Sequence, residues 1–475
     1  MMRTALNWLL AGSAAMALAA PAAAQTVAIT GGRVIIGDGS APIEGGTVVM
    51  RDGRVVAAGA GIAVPAGATV VDAAGRWVTP GLVSGFSRIG LAEVDAAGES
   101  NDTGANQSPF SAAIDVAPAV NPQASAIAVN RAAGVTRAVV APQSSNNMFA
   151  GQGAMIDLGG DMEPITRRRL FQYVELGETG GQRAGGSRAS AHTLLRNALR
   201  EAGQLNLNAP IGRTGGDAGR SGVNQRPDDA AVTPGEEVRD PRFLDATGDR
   251  PGDALLTRFD AAALVPVVRG QQLLLVHVER ASDILQALAL RQEFPRLRMV
   301  LVGATEGWRV ADRIRAAGVP VIANALNDLP ATFEQLAATQ SNVGRLRAAG
   351  VPVAIGHIND DETRQIRLMP QYAGNLVALS RIPGATGLSW EQAFAAISSG
   401  PAEAMGLGGE IGSLRPGRRA DVVIWDGDPL ELSTGVQAVW IDGVQQSLEN
   451  RQTRLRDRYR TPTEGALPHA YNPRQ

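Results

Sequence analysis

This sequence is poor in three residue types that act as metal ligands, nucleophiles or acid–base catalysts near neutral pH, namely cysteine, lysine and histidine. The chain has 475 residues, no cysteine and four histidines, and its 44 other basic side chains are all arginine. The lack of cysteine excludes disulfides, thiolate metal sites, iron–sulfur clusters and cysteine nucleophiles. No Gly-x-Ser-x-Gly motif or phosphate-binding loop is present, so neither a serine hydrolase nor a nucleotide-binding protein is indicated.

Two of the histidines, His277 and His357, lie at the ends of apolar segments that have the composition of buried strands. Acidic side chains occupy similar places, because Glu306 follows another such segment and Asp360 comes shortly after His357. Imidazole and carboxylate groups at strand ends can bind a divalent metal or transfer protons. A lone histidine at a strand end is more often a hydrogen-bonded structural residue, and acids at these places also cap helices.

The elements that would position these groups form a series through the middle of the chain. The predicted strands are 78–83, 135–141, 154–158, 273–278, 299–303, 319–323 and 351–355. The predicted helices are 281–294, 307–317, 332–349 and 363–379. Short apolar strands joined by helices are typical of parallel βα units whose sheet is covered by helices.

The two ends of the chain have β patterns instead. Residues 26–72 contain short alternating segments, and an Asp-Gly pair at 52–53 favours a hairpin. The β pattern returns at 420–425 and 438–441. We therefore predict an α/β fold in which a (βα)8 TIM-like barrel carries a small composite β-sandwich built from both chain ends.

The first 24 residues have the order of a secretory signal. Arg3 precedes an apolar run at 6–20, and small residues lead to a cleavage site after Ala24. This order predicts export, with the periplasm as the destination. No later segment reaches the length and hydrophobicity of a membrane span, so the mature chain is expected to lack one. The net charge of -2 gives no reason to expect nucleic-acid binding.

The remaining segments complete the predicted division of the chain. Residues 177–251 are rich in Gly, Arg, Asp, Asn and Pro, which predicts a loop insertion with one helical island at 191–202. The predicted parts are a signal peptide at 1–24, the first β-sandwich segment at 25–77, the barrel at 78–405, the second β-sandwich segment at 406–448, and a loosely held tail at 449–475.

Three motifs stand at the entry to the composite β domain, at the start of the barrel and at the exit from it. The entry motif is Ile-Thr-Gly-Gly-Arg-Val-Ile at 29–35, followed by Val-Val-Met-Arg-Asp-Gly-Arg-Val at 48–55. Val-Asp-Ala-Ala-Gly-Arg-Trp-Val-Thr-Pro-Gly-Leu-Val at 71–83 leads into the barrel. The exit motif runs from Gly412 to Asp426, and 439–443 follow it. These motifs resemble those of the amidohydrolase superfamily, the metal-dependent hydrolases with a composite β domain and a barrel. The resemblance implies hydrolysis of an amide or related bond by a metal-bound water.

The resemblance also implies a set of metal ligands, which this sequence keeps only in part. The usual set is His-x-His after the first strand, Lys or Glu on a middle strand, one His on each of two later strands, and a final Asp. Phe86 and Arg88 stand at the two first-strand positions, and the chain has no lysine. His277 is in register on the fifth strand, whereas the sixth-strand histidine is replaced near Ala304 and Ile358 stands at the aspartate position.

These matches define the predicted site. His277 and His357 are the candidate metal ligands, and Glu306 and Asp360 are the candidate catalytic acids or third ligands. One divalent metal is implied, with zinc as the first choice because nitrogen ligands would dominate, and the missing ligands leave open that no metal binds. Arg88 is the candidate binder of a substrate carboxylate, with an ion pair in its own loop as the alternative.

Two functions follow from this partial site. The first is an exported amidohydrolase-family hydrolase that acts on carbon–nitrogen bonds other than peptide bonds, on a small-molecule substrate that the sequence does not identify. The second is a non-catalytic relative, acting as a binding protein or as a subunit that partners an intact paralogue. Assembly as a homo-oligomer, or as a hetero-oligomer with a related amidohydrolase, is compatible with both.

Overall fold

A computed structural model of the protein describes residues 26–94, 97–205, 255–358 and 363–460. Within these ranges the chain forms two eight-stranded sheets. One sheet is built from segments near both chain ends, and the other is built from the middle of the chain. The first sheet contains β1 (Thr26–Val34), β2 (Ile43–Arg51), β3 (Arg54–Gly59), β4 (Thr69–Asp72), β5 (Trp77–Pro80), β14 (Val422–Trp425), β15 (Val436–Ile441) and β16 (Val444–Gln445). The second contains β6 (Leu82–Ser87), β7 (Val135–Val140), β8 (Phe149–Asp157), β9 (Ile165–Glu175), β10 (Leu273–Val278), β11 (Met299–Gly303), β12 (Val321–Ala323) and β13 (Val353–Ile355).

Helices connect and cover these strands. The α-helices are α1 (Ser125–Arg131), α2 (Gly177–Arg183), α3 (Arg188–Gln204), α4 (Arg258–Val268), α5 (Ala281–Glu293), α6 (Ala311–Ala317), α7 (Asn342–Ala348), α8 (Met369–Leu379), α9 (Trp390–Ala395), α10 (Ser399–Ala404) and α11 (Arg451–Arg460). Short 3-10 helices occur at Gly98–Ser100, Ala117–Ala119, Gly307–Val310, Phe333–Gln335 and Ile366–Leu368. None of the helices in the described ranges combines the length and the apolar composition that a bilayer crossing requires.

The second sheet is the predicted TIM-like barrel. Its strands are neighbours in chain order from β6 to β13, and the amide of His357 donates to the carbonyl of Phe86 at 3.0 Å between the first and last strands. The strands were expected to be parallel, but β8 runs antiparallel to both β7 and β9. The connections at 141–148 and 158–164 contain no helix and are too short for the crossover that parallel neighbours need.

The barrel wall separates two apolar cores. Along β10, Leu273 and Leu275 pack inside the barrel, whereas Leu274 and Val276 pack outside against the helices. Successive side chains of a strand point to opposite faces of the sheet, so this alternation fixes which residues face the barrel interior. His277 has the parity of Leu275 and therefore faces inward at the carboxyl end of its strand.

The predicted composite β domain is confirmed, and both chain ends contribute to one sheet. β14, from the C-terminal segment, pairs antiparallel with β5 from the N-terminal segment. The predicted strand at 78–83 is instead two strands in different sheets, since β5 ends at Pro80 and β6 begins at Leu82. Gly81 lies at this passage, where any Cβ would overlap the Thr136 side chain.

Four further segments differ from the sequence-based expectation. Residues 177–205 belong to α2 and α3 rather than to a loop, because α3 buries an apolar face that includes Leu195 and Leu199. The predicted helical island at 191–202 is therefore confirmed within a longer helix. The strand β9 was not predicted, because the arginine run at 167–169 interrupts its apolar pattern. The helix predicted at 332–349 is reduced to a 3-10 turn and α7, and the tail begins with α11.

A buried arginine joins the barrel to the composite sheet. Arg137, at the start of β7, is fully buried and forms a bidentate ion pair with Asp421, with nitrogen–oxygen distances of 2.8 and 2.9 Å. Its guanidinium also lies 2.8 Å from Asp442 and 3.5 Å from Asp157. Burial raises the pKa of Asp157 to about 6, although the Arg137 charge opposes the shift. The carboxylates of Asp421 and Asp442 hold the Arg137 cation where water cannot reach it.

Replacing this arginine should destabilise the whole chain. Arg137→Met leaves buried carboxylates without their cation, and we expect a loss of about 3–5 kcal/mol in the free energy of unfolding, measured by urea denaturation. The matched control is Arg454→Met, whose side chain is 69% exposed and lies 3.6 Å from Glu449. Exposed pairs of this kind contribute about 0–1 kcal/mol, so equal losses in the two variants would contradict a structural role for Arg137.

Candidate functional site

The carboxyl ends of β9 and β10 place a histidine between two acidic side chains inside the barrel mouth. His277 Nδ1 lies 2.5 Å from Glu175 Oε2, and His277 Nε2 lies 3.0 Å from Glu279 Oε1. Glu175 and Glu279 are 6% and 4% exposed. Both ring nitrogens are therefore hydrogen-bonded to carboxylates in a setting that is largely shielded from water.

This arrangement favours the imidazolium form of the histidine. Burial alone would lower the pKa of His277, but the charges and hydrogen bonds of Glu175 and Glu279 raise that pKa well above 6.5. Both ring nitrogens carry protons in the imidazolium, so each can donate to one carboxylate. The unit is thus an ionised carboxylate, a cation and a second carboxylate in direct contact.

The loop after β11 holds Glu279 in place. The amide of Thr305 donates to Glu279 Oε2 at 2.9 Å. Ala304 has a φ of 49°, which is rare for a residue with a side chain, and this turn directs the next amide toward the carboxylate. Gly303 has a φ of 86°, and a Cβ at this position would lie 2.5 Å from Glu279 Oε1. The glycine therefore leaves the space that the carboxylate occupies.

Glu175 is held from two sides. The hydroxyl of Tyr173 donates to Glu175 Oε1 at 2.8 Å, in addition to the contact with His277. Burial favours the protonated form of Glu175, but the His277 charge, these hydrogen bonds and the Arg88 charge together lower its pKa. Glu175 is therefore ionised at neutral pH. Two cationic side chains, His277 and Arg88, act on this carboxylate.

The predicted substrate-binding residue Arg88 lies in this mouth but is buried. Its side chain is 5% exposed, and its guanidinium carbon lies 5.8 Å from the centre of the Phe86 ring. The Phe86 ring in turn packs against Tyr173, with 5.2 Å between ring centres. Aromatic rings therefore occupy the space beside Glu175, and the positive charge of Arg88 faces the protein interior more than solvent.

His357 does not join this group. Ala354 and Ile358 pack in the inner core, whereas Val353 and Ile355 pack in the outer one. Side chains alternate along the strand, so His357 points outward like Val353 and Ile355. Its ring stacks on Tyr372 of α8, with 5.3 Å between ring centres. Burial lowers the pKa of His357 to about 3, which keeps the ring neutral. The sequence placed both histidines at the mouth, but strand alternation separates them across the barrel wall.

The two predicted catalytic acids have different outcomes. Glu306 is 4% exposed, and each of its carboxylate oxygens accepts a backbone amide, from Ala281 at the start of α5 and from Ala337, both at 3.1 Å. The sequence alternative was a cap on the helix that follows Glu306, but that helix receives no side-chain hydrogen bond from it, and Glu306 instead stabilises the first turn of the earlier helix α5. Asp360 lies outside the residues that the structure describes.

Residues that the sequence analysis did not select form the acidic part of the site. Glu175 ends a strand that was not predicted, and the apolar alternation at 170–176 is the signal that would have located it. Glu279 directly follows the predicted strand at 273–278. A further acid, Glu334, accepts the amide of Glu178 at 2.7 Å and lies 3.2 Å from Arg188, and burial raises its pKa.

A cavity of about 200 Å³ lies at the start of β8, where Phe149 pairs with Val174, the residue before Glu175. Residues 102–105 and Phe149 line it, together with Ser145 and Asn146 from the polar loop after β7. Ala150, which packs in the inner core of the barrel, also contributes to the lining.

Comparison with known proteins identifies a family for the C-terminal part of the chain. A model described as the amidohydrolase family matches residues 308–445. The crystal structure of an amidohydrolase from Thermotoga maritima MSB8 is similar to this chain, with 22% identity, a TM-score of 0.69, and coverage of 90% of this chain and 100% of that one. Amidohydrolase tasK of Hapsidospora irregularis is 40% identical over 60 residues, which are 13% of this chain and only 6% of the length of that relative.

Proteins of this kind are commonly metal-dependent, but the described residues do not fit a dication. No three histidine, aspartate or glutamate side chains in the described ranges form a group that could hold a metal ion. Both nitrogens of His277 are engaged by carboxylates, and Phe86 stands where a ligand is usual. The cationic His277 and Arg88 instead balance the carboxylates of Glu175 and Glu279.

The protonation of His277 can be measured directly. We expect both of its ring nitrogens to be protonated at pH 7.5, in nitrogen–proton correlation spectra assigned with a His277→Gln variant, because the raised pKa lies above the ordinary value. The contribution of His277 to stability should be complete below pH 6.5 and decline as pH rises through the raised pKa. The contribution of Glu175 should decline as pH falls through its lowered pKa. A neutral His277 ring at pH 7.5 would contradict the ion-paired unit.

The space at Gly303 provides a second test of this unit. Gly303→Ala should displace the Glu279 carboxylate and so lower the pKa of His277, which the same spectra report. The matched control is Gly384→Ala, which has a similar φ of 81° but no neighbour within 4 Å of the added Cβ. Both variants should lose about 1 kcal/mol or more of stability from backbone strain, so only the change in the His277 pKa distinguishes them. An unchanged pKa in Gly303→Ala would show that Glu279 does not set it.

Proposed function

We propose that the chain is an amidohydrolase-family hydrolase of carbon–nitrogen bonds other than ordinary peptide bonds, which the match of residues 308–445 to the amidohydrolase family supports. The observation that carries the proposal is the contact of His277 with Glu175 and Glu279 at the mouth of the barrel. Catalytic groups of such barrels lie at the carboxyl ends of the strands, which is where these three side chains are. The substrate is a small molecule, and the cavity of about 200 Å³ at the start of β8 is its candidate binding space.

The proposed chemistry is acid–base catalysis by these side chains. Cleavage of a carbon–nitrogen bond requires a proton on the leaving nitrogen, and the His277 imidazolium can supply it. The attacking water must lose a proton, and an ionised carboxylate beside His277 can accept it. The proton then returns from the carboxylate to the imidazole, which restores the starting state. In this proposal the carboxylate charges are balanced by His277 and Arg88, so no step depends on a dication.

The N-terminal segment adds a location to this proposal. Residues 1–24 have the pattern of a secretory signal, and the proposed enzyme is therefore exported to the periplasm. The lack of cysteine is compatible with that compartment, because the chain has no thiol to oxidise.

A second candidate function is a non-catalytic subunit or binding protein. The observation that favours it is the closed state of the unit, since both nitrogens of His277 are occupied and the Phe86 and Tyr173 rings fill the adjoining space. A barrel of this kind would keep the fold without the reaction, and its partner would be a related amidohydrolase with an intact site. A homo-oligomer of this chain is the alternative to that hetero-oligomer.

Metal analysis combined with kinetics separates these functions. The protein from residue 25 onward is purified, loaded with zinc, dialysed against chelator, and tested on a panel of N-acyl amines, cyclic amides and ureas. The proposed hydrolase should retain activity without bound metal. His277→Gln and Glu175→Gln should each lower kcat by about a hundredfold or more. Glu44→Gln, at a side chain that is 73% exposed, is the matched control and should leave kcat unchanged.

The other outcomes also give clear answers. Activity that chelator removes and zinc restores would show that a metal takes part in the reaction, which contradicts the proposed chemistry. Wild-type protein that hydrolyses none of the panel, yet purifies in a stable complex with another barrel protein, would favour the non-catalytic subunit. A wild-type rate in His277→Gln would exclude the three-residue unit from the reaction.

A further inference from the structure

A second cavity lies on the outer face of the barrel wall, at the end of β10 opposite to His277. We propose that the cavity between α4 and the strands β8, β9 and β10 binds a small ligand that carries an amide group on an apolar body. The proposal rests on the residues of this cavity and does not depend on the function of the mouth.

Three glutamines are buried together in this layer. Gln152 of β8 pairs with Gln172 of β9 in the antiparallel ladder, and Gln272 directly precedes β10. They are 6%, 0% and 5% exposed, respectively. Glutamine is rarely buried to this extent, and a buried amide is costly unless both its donor and its acceptor are hydrogen-bonded. Three of them in one otherwise apolar layer need an explanation.

The hydrogen bonds of the glutamines are incomplete. Gln272 Nε2 donates to Gln152 Oε1 at 3.1 Å and to the carbonyl of Arg169 at 2.7 Å, and these acceptors fix the orientation of the amide. Gln272 Oε1 is then buried without a partner among the described residues. Gln172 Oε1 and Nε2 are likewise buried without a partner among the described residues. Gln152 Nε2 has only a long contact of 3.5 Å with the carbonyl of Ala113.

The backbone of Arg169 is strained where it meets this group. Its φ is 49°, inside β9, and the turn directs its carbonyl to Gln272. Strain of this kind persists only where the surrounding structure fixes it, and it is concentrated at binding sites and turns. The Arg169 side chain is 63% exposed, pairs with Asp115 at 3.0 Å and lies at the rim of the cavity.

The cavity has one polar wall and one apolar wall. Its volume is about 420 Å³, and Gln152, Gln271 and Gln272 line it on the polar side. Side chains of α4 form the other side: Phe259, Ala262, Ala263 and Pro266. Phe259 is 53% exposed, so an aromatic ring already lies at the opening. Ligand sites typically combine such an apolar surface with a few placed polar groups.

The polar wall selects an amide over other groups. The unpartnered Gln272 Oε1 accepts a hydrogen bond and requires an N–H on the ligand, whereas the weakly bonded Gln152 Nε2 offers a donor to a ligand carbonyl. An amide supplies both the N–H and the carbonyl in fixed geometry. A carboxylate has no proton to give to Oε1 at neutral pH, and a hydrocarbon would leave the amide atoms unpartnered.

Benzamide is the probe for this site, because it joins a primary amide to an aromatic body. Binding to the mature protein is measured by saturation-transfer NMR and by calorimetry, and we expect saturable binding. Acetophenone is the matched ligand, since it keeps the ring and the carbonyl but lacks the N–H. It should bind about tenfold more weakly, as the loss of one buried hydrogen bond predicts.

Two variants locate the binding. Ala263→Trp fills the cavity from a half-buried helix position and should abolish benzamide binding, and Gln272→Leu should weaken it about tenfold. If Gln272→Leu does not fold, Ala263→Trp and the acetophenone comparison still decide the question. His277→Gln changes the mouth and should leave benzamide binding unchanged, which keeps this test separate from that of the proposed function.

Other results would overturn the proposal. The absence of saturable benzamide binding by the wild-type protein would mean that ordered water alone satisfies the glutamines. Equal binding of benzamide and acetophenone would contradict recognition of the amide. Undiminished binding in Ala263→Trp, or loss of binding in His277→Gln, would place the ligand elsewhere.

Discussion

The interaction on which this site depends is a histidine held between two carboxylates in a barrel mouth that excludes most water. His277 lies 2.5 Å from Glu175 and 3.0 Å from Glu279, and the carboxylates keep the ring cationic. Two buried carboxylates this close to each other would repel strongly without a cation between them. The ring therefore neutralises the carboxylates on both sides, and as an imidazolium with both nitrogens hydrogen-bonded it has no free lone pair for a metal ion.

The loops around this unit are adapted to it. Gly303 leaves space for the Glu279 carboxylate, and the positive φ of Ala304 directs the Thr305 amide to it. A buried carboxylate costs free energy unless donors surround it. A comparable constraint acts at the other end of the barrel, where Asp421 and Asp442 surround the fully buried Arg137. Buried ion pairs with several partners thus define both the mouth and the contact with the composite sheet.

The amino-acid pattern predicted the architecture well because hydrophobic periodicity is a local property. Apolar strands separated by helices indicated the barrel, and matching β patterns at 26–72 and 420–441 indicated one composite domain. Strand β9 was not predicted, because the arginines at 167–169 interrupt its apolar pattern. The antiparallel direction of β8 was not predicted either, because it follows from the short connections on both sides of that strand. The acid that ends β9, Glu175, was missed for the same reason.

The sequence by itself determined which chemistry is available: no thiols, no lysine, and few histidines at strand ends. Only the tertiary structure decided which of these groups meet. Strand alternation directs His277 into the barrel and His357 outward onto Tyr372, although both follow apolar strands. Local composition cannot distinguish these cases, because a shift of one residue along a strand reverses the face on which a side chain lies.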